Sequence, residues 1–169
     1  MALERLDASW RQRYVEQATT GHDADDSSCI FCALAEAPMD AASGVVDRDA
    51  SSFVVLNAFP YGSGHVLVLP RRHVAGIEEL DEPESAALWR ATTRALRAVT
   101  IAYRPDGANL GANLGRAGGA GIPGHLHLHV LPRWGGDTNF MTSVAETRVL
   151  PESLAASFAK LRGAYGGLH

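Results

Sequence analysis

A chain of 169 residues with 46% hydrophobic and 20% charged side chains is long enough for one well-buried core and too short for two ordinary domains. The net charge of -4 argues against a general nucleic-acid or anionic-membrane surface, which calls for a basic face, although a small pocket can be locally positive. No stretch approaches the roughly 18 apolar residues of a membrane span, and the first residues lack a signal-peptide core, so the expected compartment is the cytoplasm.

Residues 5–19 are expected to form a helix, because Leu6, Trp10, Tyr14 and Ala18 recur every four residues. The polar segment 20–28 reads as a loop and leads into Cys29-Ile30-Phe31-Cys32, which holds the only two cysteines. Val45-Val46 and residues 52–57 look like strands, the second carrying Phe53-Val54-Val55-Leu56. A turn-rich Pro60-Tyr61-Gly62-Ser63-Gly64 joins them to another apolar strand over 65–69.

The clearest helix covers 82–102, opened by Asp81 with Glu84 three residues on and by Pro83 in its first turn. Its expected buried stripe is Leu88, Thr92, Leu96 and Val99, with Ala95 at the edge, and Arg104-Pro105-Asp106-Gly107 should stop it. Two strands are expected over 108–114 and 126–131, separated by the Gly-rich stretch 115–124. A last helix over 151–164 carries Leu154, Phe158 and Leu161. Hairpins with one long intervening helix predict an α+β domain, an antiparallel sheet flanked by helices. The expected division is a helix and knuckle over 1–44, a core over 45–134 and an extension with a helix over 135–169.

Three of the seven histidines alternate in His125-Leu126-His127-Leu128-His129. Residues two apart on a strand point the same way, so these three should line one face while Leu126, Leu128 and Val130 enter a core. Imidazole titrates near neutral pH, which makes such a row suited to binding phosphate or metal, or to bonding phosphorus. The Cys-x-x-Cys is open to three readings: a redox pair, which would want a thioredoxin-like βαβ context that is missing, a metal knuckle, or inert thiols. A structural zinc would need two further ligands. The Gly-rich loops form neither a phosphate-binding P-loop nor a dinucleotide fingerprint.

The His-apolar-His-apolar-His pattern resembles the signature of the histidine triad (HIT) superfamily of nucleotide hydrolases and transferases. The likeness extends over about 27–150. It includes the hairpin from Asn57-Ala58-Phe59-Pro60-Tyr61-Gly62-Ser63-Gly64-His65 on to Pro70-Arg71-Arg72-His73, the strand Asn109-Leu110-Gly111-Ala112-Asn113-Leu114-Gly115, and the tail from Pro132-Arg133-Trp134 to Phe140. That tail is similar to the Fhit and actinobacterial diadenosine-tetraphosphate phosphorylase branch. The resemblance implies cleavage of a dinucleoside polyphosphate at its α-phosphate, by phosphorolysis or hydrolysis, through a nucleotidyl-histidine.

His127 matches the family's nucleophile, and a neutral imidazole nitrogen can attack phosphorus in line and leave a reactive phosphoramidate. His129 and His65 are then expected to donate to phosphate oxygens, where charge develops. Asn113 and Gly121 are expected in the substrate-binding set, and the resemblance places Asn57 against the ribose. Turn-capping roles compete for Asn57 and Asn113, and a turn-flanking role for His65. Similar proteins complete a zinc site with the residues that match His73 and His125 here, which implies a structural Zn²⁺ on Cys29, Cys32, His73 and His125 and no organic cofactor.

Many relatives carry a Ser or Gln just before the triad to help the leaving group, whereas Gly118-Gly119-Ala120-Gly121-Ile122-Pro123-Gly124 offers neither. The alternatives are a Hint-type adenosine phosphoramidase, a nucleotide sensor with little turnover, and a zinc hydrolase whose triad holds catalytic metal. The expected partners are a nucleotide such as diadenosine tetraphosphate and a second copy of the chain, with no nucleic-acid polymer and no membrane. Trp89 and the N-terminal stripe are candidate dimer contacts or core residues.

Overall fold

Two apolar strands with no polar interruption must be covered on both faces, and this requirement organises the protein. The structure, a computed structural model, describes residues 29–137 and 152–168. The expected helix over 5–19, the loop over 20–28 and the end of the tail at Thr138-Asn139-Phe140 lie outside the described residues.

In chain order the elements are α1 (Ile30–Glu36), β1 (Val45–Arg48), β2 (Ser52–Leu56), β3 (Val66–Pro70), a 3-10 turn (Ile77–Glu79), α2 (Glu82–Tyr103), β4 (Gly107–Ala112), β5 (Leu128–Arg133) and α3 (Leu154–Gly166). The strands form one antiparallel sheet in the order β1-β2-β3-β5-β4. This is the α+β architecture expected from the sequence. No helix among the described residues is long and apolar enough to cross a membrane.

Every residue of β2 and β3 is buried. Alternation sends Val46, Val54, Leu56, Val66, Val68 and Val130 to one face, where α2 and α3 cover them. Val45, Phe53, Val55, Leu67 and Leu69 face the other way and pack with Cys29, Phe31 and Ala35 of the α1 segment. Pairs Phe53–Leu69 and Val55–Leu67 lie directly across the β2–β3 ladder, so the register places like with like. Truncating a fully buried side chain such as Leu69 to Ala would cost about 2–5 kcal/mol.

Helix α2 starts as the sequence predicts. Glu84 N–H donates to Asp81 Oδ1 at 2.7 Å, and Asp81 N–H to Glu84 Oε2 at 3.1 Å. Arg104, at φ 47°, closes its end in a left-handed cap before Pro105. Its buried stripe is Ala87, Leu88, Ala91, Thr92, Ala95, Ala98 and Val99. Leu96, expected in that stripe, is 36% exposed instead. At 3.6 residues per turn it stands about 80° around the helix from Leu88, while the alanines allow α2 to lie close on the sheet.

Two boundaries moved in ways that matter for function. The strand expected to begin at 126 begins at Leu128, because Leu126 N–H bonds to Val74 O at 2.6 Å rather than to the sheet. Of the three alternating histidines only His129 is therefore in β5, and Leu128 is half-buried rather than fully in the core. Helix α3 begins at Leu154 under a Ser153 cap, with Leu154 43% exposed and Leu161, Ala164 and Tyr165 buried.

Candidate active site and metal cluster

The hairpin between β2 and β3 is built to carry His65 inward. Asn57 N–H donates to His65 O at 3.0 Å and His65 N–H to Gly62 O at 3.3 Å, which closes the loop on itself. Gly64 has φ +75°, and a Cβ there would meet the Tyr103 ring at 2.5 Å, so only glycine lets the hairpin pack on the end of α2. His65 ends up 1% exposed.

Backbone donors fix the ring protons of this site. Tyr61 N–H can only donate, and it reaches His65 Nδ1 at 3.1 Å, so that nitrogen carries the lone pair. The neutral ring then holds its proton on Nε2, 2.9 Å from His129 Nδ1, and donates it there. His129 is left with its own proton on Nε2. That atom is buried and has no hydrogen-bond partner among the described residues. An unsatisfied buried donor is costly and marks a place for an acceptor. Burial, followed by the neighbouring His127, pushes the His129 pKa down to about 4, so the ring stays neutral at ordinary pH.

His127 has the opposite arrangement. Its Nδ1 lies 2.8 Å from His125 O, and because a carbonyl can only accept, Nδ1 carries the proton. The lone pair is then on Nε2. Burial lowers the pKa of His127, partly offset by that carbonyl bond, which keeps the lone pair available. The His127 and His129 rings are 5.3 Å apart at 70°. Two neighbouring rings therefore offer a nitrogen lone pair and a nitrogen-bound proton, the two groups that attack on a phosphoryl group with stabilisation of its oxygens requires.

His65, expected to touch phosphate, has its Nε2 2.9 Å from His129 Nδ1, which brings it next to His129 in the site. Asn57, expected at a ribose, accepts from Phe59 N–H at 3.0 Å and has Nδ2 3.3 Å from His65 Nδ1, so it braces the turn. Asn113 Nδ2 makes a long 3.5 Å bond to Gly119 O, and Gly121 lies exposed in the Gly-rich loop.

His125 turns away from the pair. Its Nε2 donates to Pro70 O at 2.9 Å, which points Nδ1 at the cysteines, 3.4 Å from Cys29 Sγ and 3.6 Å from Cys32 Sγ. Cys32 Sγ is 3.3 Å from His73 Nδ1. All four donor atoms lie within 4.8 Å of one another, and neither cysteine is in a disulfide. Tetrahedral zinc at ordinary bond lengths sets neighbouring S and N ligands about 3.5 Å apart, so the group fits such an ion, and the Pro70 carbonyl is the outer partner that orients a ligating imidazole.

Two residues that the sequence reasoning did not single out belong to this site. Phe31, between the cysteines, packs 5.6 Å from the His125 ring and 5.4 Å from the His127 ring. Tyr61 lies 5.8 Å from His129, nearly parallel at 18°, and 4.7 Å from His65. Their positions, inside Cys-x-x-Cys and four residues before His65, were the available signal.

Comparison with known proteins agrees with this geometry. The family profile described as HIT domain matches residues 39–136. A protein of Mycobacterium tuberculosis (strain H37Rv) named AP-4-A phosphorylase is 39% identical over 154 residues, covering 90% of this chain and 79% of that protein. A zinc-bound histidine triad family protein from Mycobacterium smegmatis superposes with a TM-score of 0.68 at 29% identity, over 85% of this chain and 97% of that one. A histidine triad nucleotide-binding protein from Sulfolobus tokodaii gives 0.67 at 26% identity, over 83% and 93%. With the triad, the hairpin and the sheet all accounted for, the chain belongs to the HIT family.

Proposed function

We propose that this protein cleaves diadenosine tetraphosphate or a similar dinucleoside polyphosphate at an α-phosphate, and that phosphate is the acceptor that resolves the intermediate. The observation that carries the reading is two neighbouring rings with complementary Nε2 atoms, a lone pair on His127 and on His129 a buried N–H with no partner among the described residues. The relative named AP-4-A phosphorylase supports the choice of substrate and acceptor.

In the first step His127 Nε2 bonds to the α-phosphorus while the bond from that phosphorus to the bridging oxygen breaks, and ATP departs. His129 Nε2–H stabilises the charge on a non-bridging oxygen, held in register by His65 and the Tyr61 backbone. In the second step a phosphate oxygen attacks the phosphoramidate, the P–N bond breaks, and ADP leaves with His127 neutral again. Water in place of phosphate would give AMP. The residues 118–124 supply no side-chain acid, so a leaving group that departs without protonation, such as a polyphosphate, suits the site better than an alkylamine. That speaks against the phosphoramidase reading.

Cys29, Cys32, His73 and His125 would hold a structural zinc closed to substrate, and the ion would supply folding free energy rather than chemistry. A second copy would extend the sheet at β4, which ends it with five of six residues exposed, Leu110 among them at 45%. The deciding experiment is a product assay on diadenosine tetraphosphate with and without phosphate. ADP plus ATP that depends on phosphate supports phosphorolysis, AMP plus ATP means hydrolysis, and no products would leave a binding protein.

A further inference from the structure

The 2.9 Å contact between His65 and His129 depends on how deep the β2–β3 hairpin sits against β5. The β3–β5 ladder ends at Val66 opposite Val130, so His65 stands just outside it. The bonds from Asn57 N–H to His65 O and from His65 N–H to Gly62 O fix the shape of the loop, not its placement. Two glycines seat it. A Cβ on Gly62 would come to 3.5 Å from Leu131 Cδ1, an ordinary contact, whereas one on Gly64 would run into the Tyr103 ring at 2.5 Å. The Tyr103 ring therefore lies directly against the backbone of the residue before His65.

Tyr103 is the last residue of α2, ahead of the left-handed cap at Arg104, and helix ends fray unless something holds them. Its side chain is held from three sides. The hydroxyl donates to Glu152 Oε1, the ring stands 6.2 Å from the Trp134 ring at 70°, and Lys160 Nζ lies 5.2 Å over its face. Glu152 also accepts from Ser157 Oγ at 2.7 Å and from Lys160 Nζ. Burial pushes the Glu152 pKa up, but the bonds from Lys160, Tyr103 and Ser157 outweigh it and keep the carboxyl below its ordinary value. An ionised acceptor makes the stronger kind of hydrogen bond. Tyr103 thus ties the loop before His65 both to Trp134, which directly follows β5, and to α3. We propose that Tyr103 is a positioning residue for the His65–His129 pair: its ring sets the depth of the hairpin, and the Glu152 carboxylate sets the ring. The proposal deepens the cleavage reading and rests on it for its kinetic test.

That test compares variants of Tyr103 with Leu161→Ala, a truncation of a fully buried α3 residue that also lowers stability. In Tyr103→Ala, kcat on diadenosine tetraphosphate should fall about 30-fold with KM within about twofold, since a displacement of about 1 Å can cost about 10²-fold. Tyr103→Leu, which keeps apolar bulk and folds more readily, should lose about tenfold in the same way. Tyr103→Phe keeps the ring and should stay within about threefold of wild type, the loss of one hydrogen bond. Glu152→Ala should lower kcat in the wild-type background and add nothing in Tyr103→Phe, because it acts through the hydroxyl. A readout without substrate is the ring-nitrogen NMR shifts of His65 and His129. They should move in Tyr103→Ala and Tyr103→Leu and stay in place in Tyr103→Phe and Leu161→Ala. A loss of kcat no greater than that of Leu161→Ala, each assayed equally far below its melting temperature, would overturn the proposal and leave Tyr103 a residue of the fold. A rise in KM alone would overturn it by putting Tyr103 against substrate. Wild-type protein that cleaves nothing would overturn the cleavage reading. The shifts would then decide the positioning role by themselves, and shifts unmoved by Tyr103→Leu would end it.

Discussion

His125 and His127 are the same side chain two residues apart, and the fold gives them opposite chemistry. His125 places its proton on Nε2 against the Pro70 carbonyl and turns Nδ1 to two sulfurs. His127 places its proton on Nδ1 against the His125 carbonyl and keeps Nε2 for an electrophile. One cluster is closed, with its four donor atoms facing one another. The other ends in a buried donor with no hydrogen-bond partner among the described residues. Which nitrogen of each histidine is left available is decided by which one a backbone carbonyl occupies, and the two clusters share one link, because the His125 carbonyl holds the His127 proton.

Removing the proposed nucleophile would separate the two clusters most sharply. His127→Ala should lose on the order of 10³-fold or more in turnover of diadenosine tetraphosphate, as for a covalent catalyst, while keeping its bound metal and melting temperature near wild type. Near wild-type kcat would remove the covalent mechanism. Cys32→Ala attacks the other cluster. Wild-type protein should carry about one zinc per chain by elemental analysis, and the variant should lose it and melt about 10 °C lower, the consequence of about 3 kcal/mol of lost binding free energy in a chain of this size. Metal-free wild-type protein with the same melting temperature as the variant would refute the zinc assignment.

His65→Ala tests whether the relay acts through His129. A residue that orients another should lower kcat by about 10- to 100-fold with KM little changed, as for outer-shell partners of ligating histidines. His65→Gln, which can still donate, should recover part of it. A rise in KM alone would restore the direct phosphate contact first expected of His65.

The smallest effect is in pH. His129 in the folded protein stays neutral down to about pH 4, whereas its ordinary value is 6.5. Between those values the unfolded chain binds more protons, so stability rises with pH across that window. It is fully present above about pH 6.5 and is lost as pH falls toward 4. The urea midpoint should drop from pH 7 to pH 5, and His129→Asn should flatten that slope. The acid limb of kcat/KM should likewise fall below pH 6.5, because burial lowers His127 too. An acid limb at or above 6.5 would contradict a buried, neutral nucleophile.

Much of this was legible in the order of residues. Strands β2 and β3, the capped start of α2 and its Arg104-Pro105 stop follow from local patterns, namely apolar runs, a capping box and a helix breaker. Local rules also marked the three alternating histidines, the Cys-x-x-Cys and the hairpin before His65. They mistook the strand that carries the triad, because Leu126 bonds to Val74, a partner 52 residues earlier that no local pattern announces. They placed Leu96 in the core of α2, where the sheet instead selects small residues that let the backbone approach. They could not tell a phosphate donor at His65 from a partner of His129, nor see Tyr61 and Phe31 as parts of the site. A side chain's type limits which bonds it can make, and this much is written in the sequence. The bond it does make depends on which carbonyl, ring or thiol the packed chain brings within about 3 Å, the reach of a hydrogen bond, and only the tertiary structure decides that.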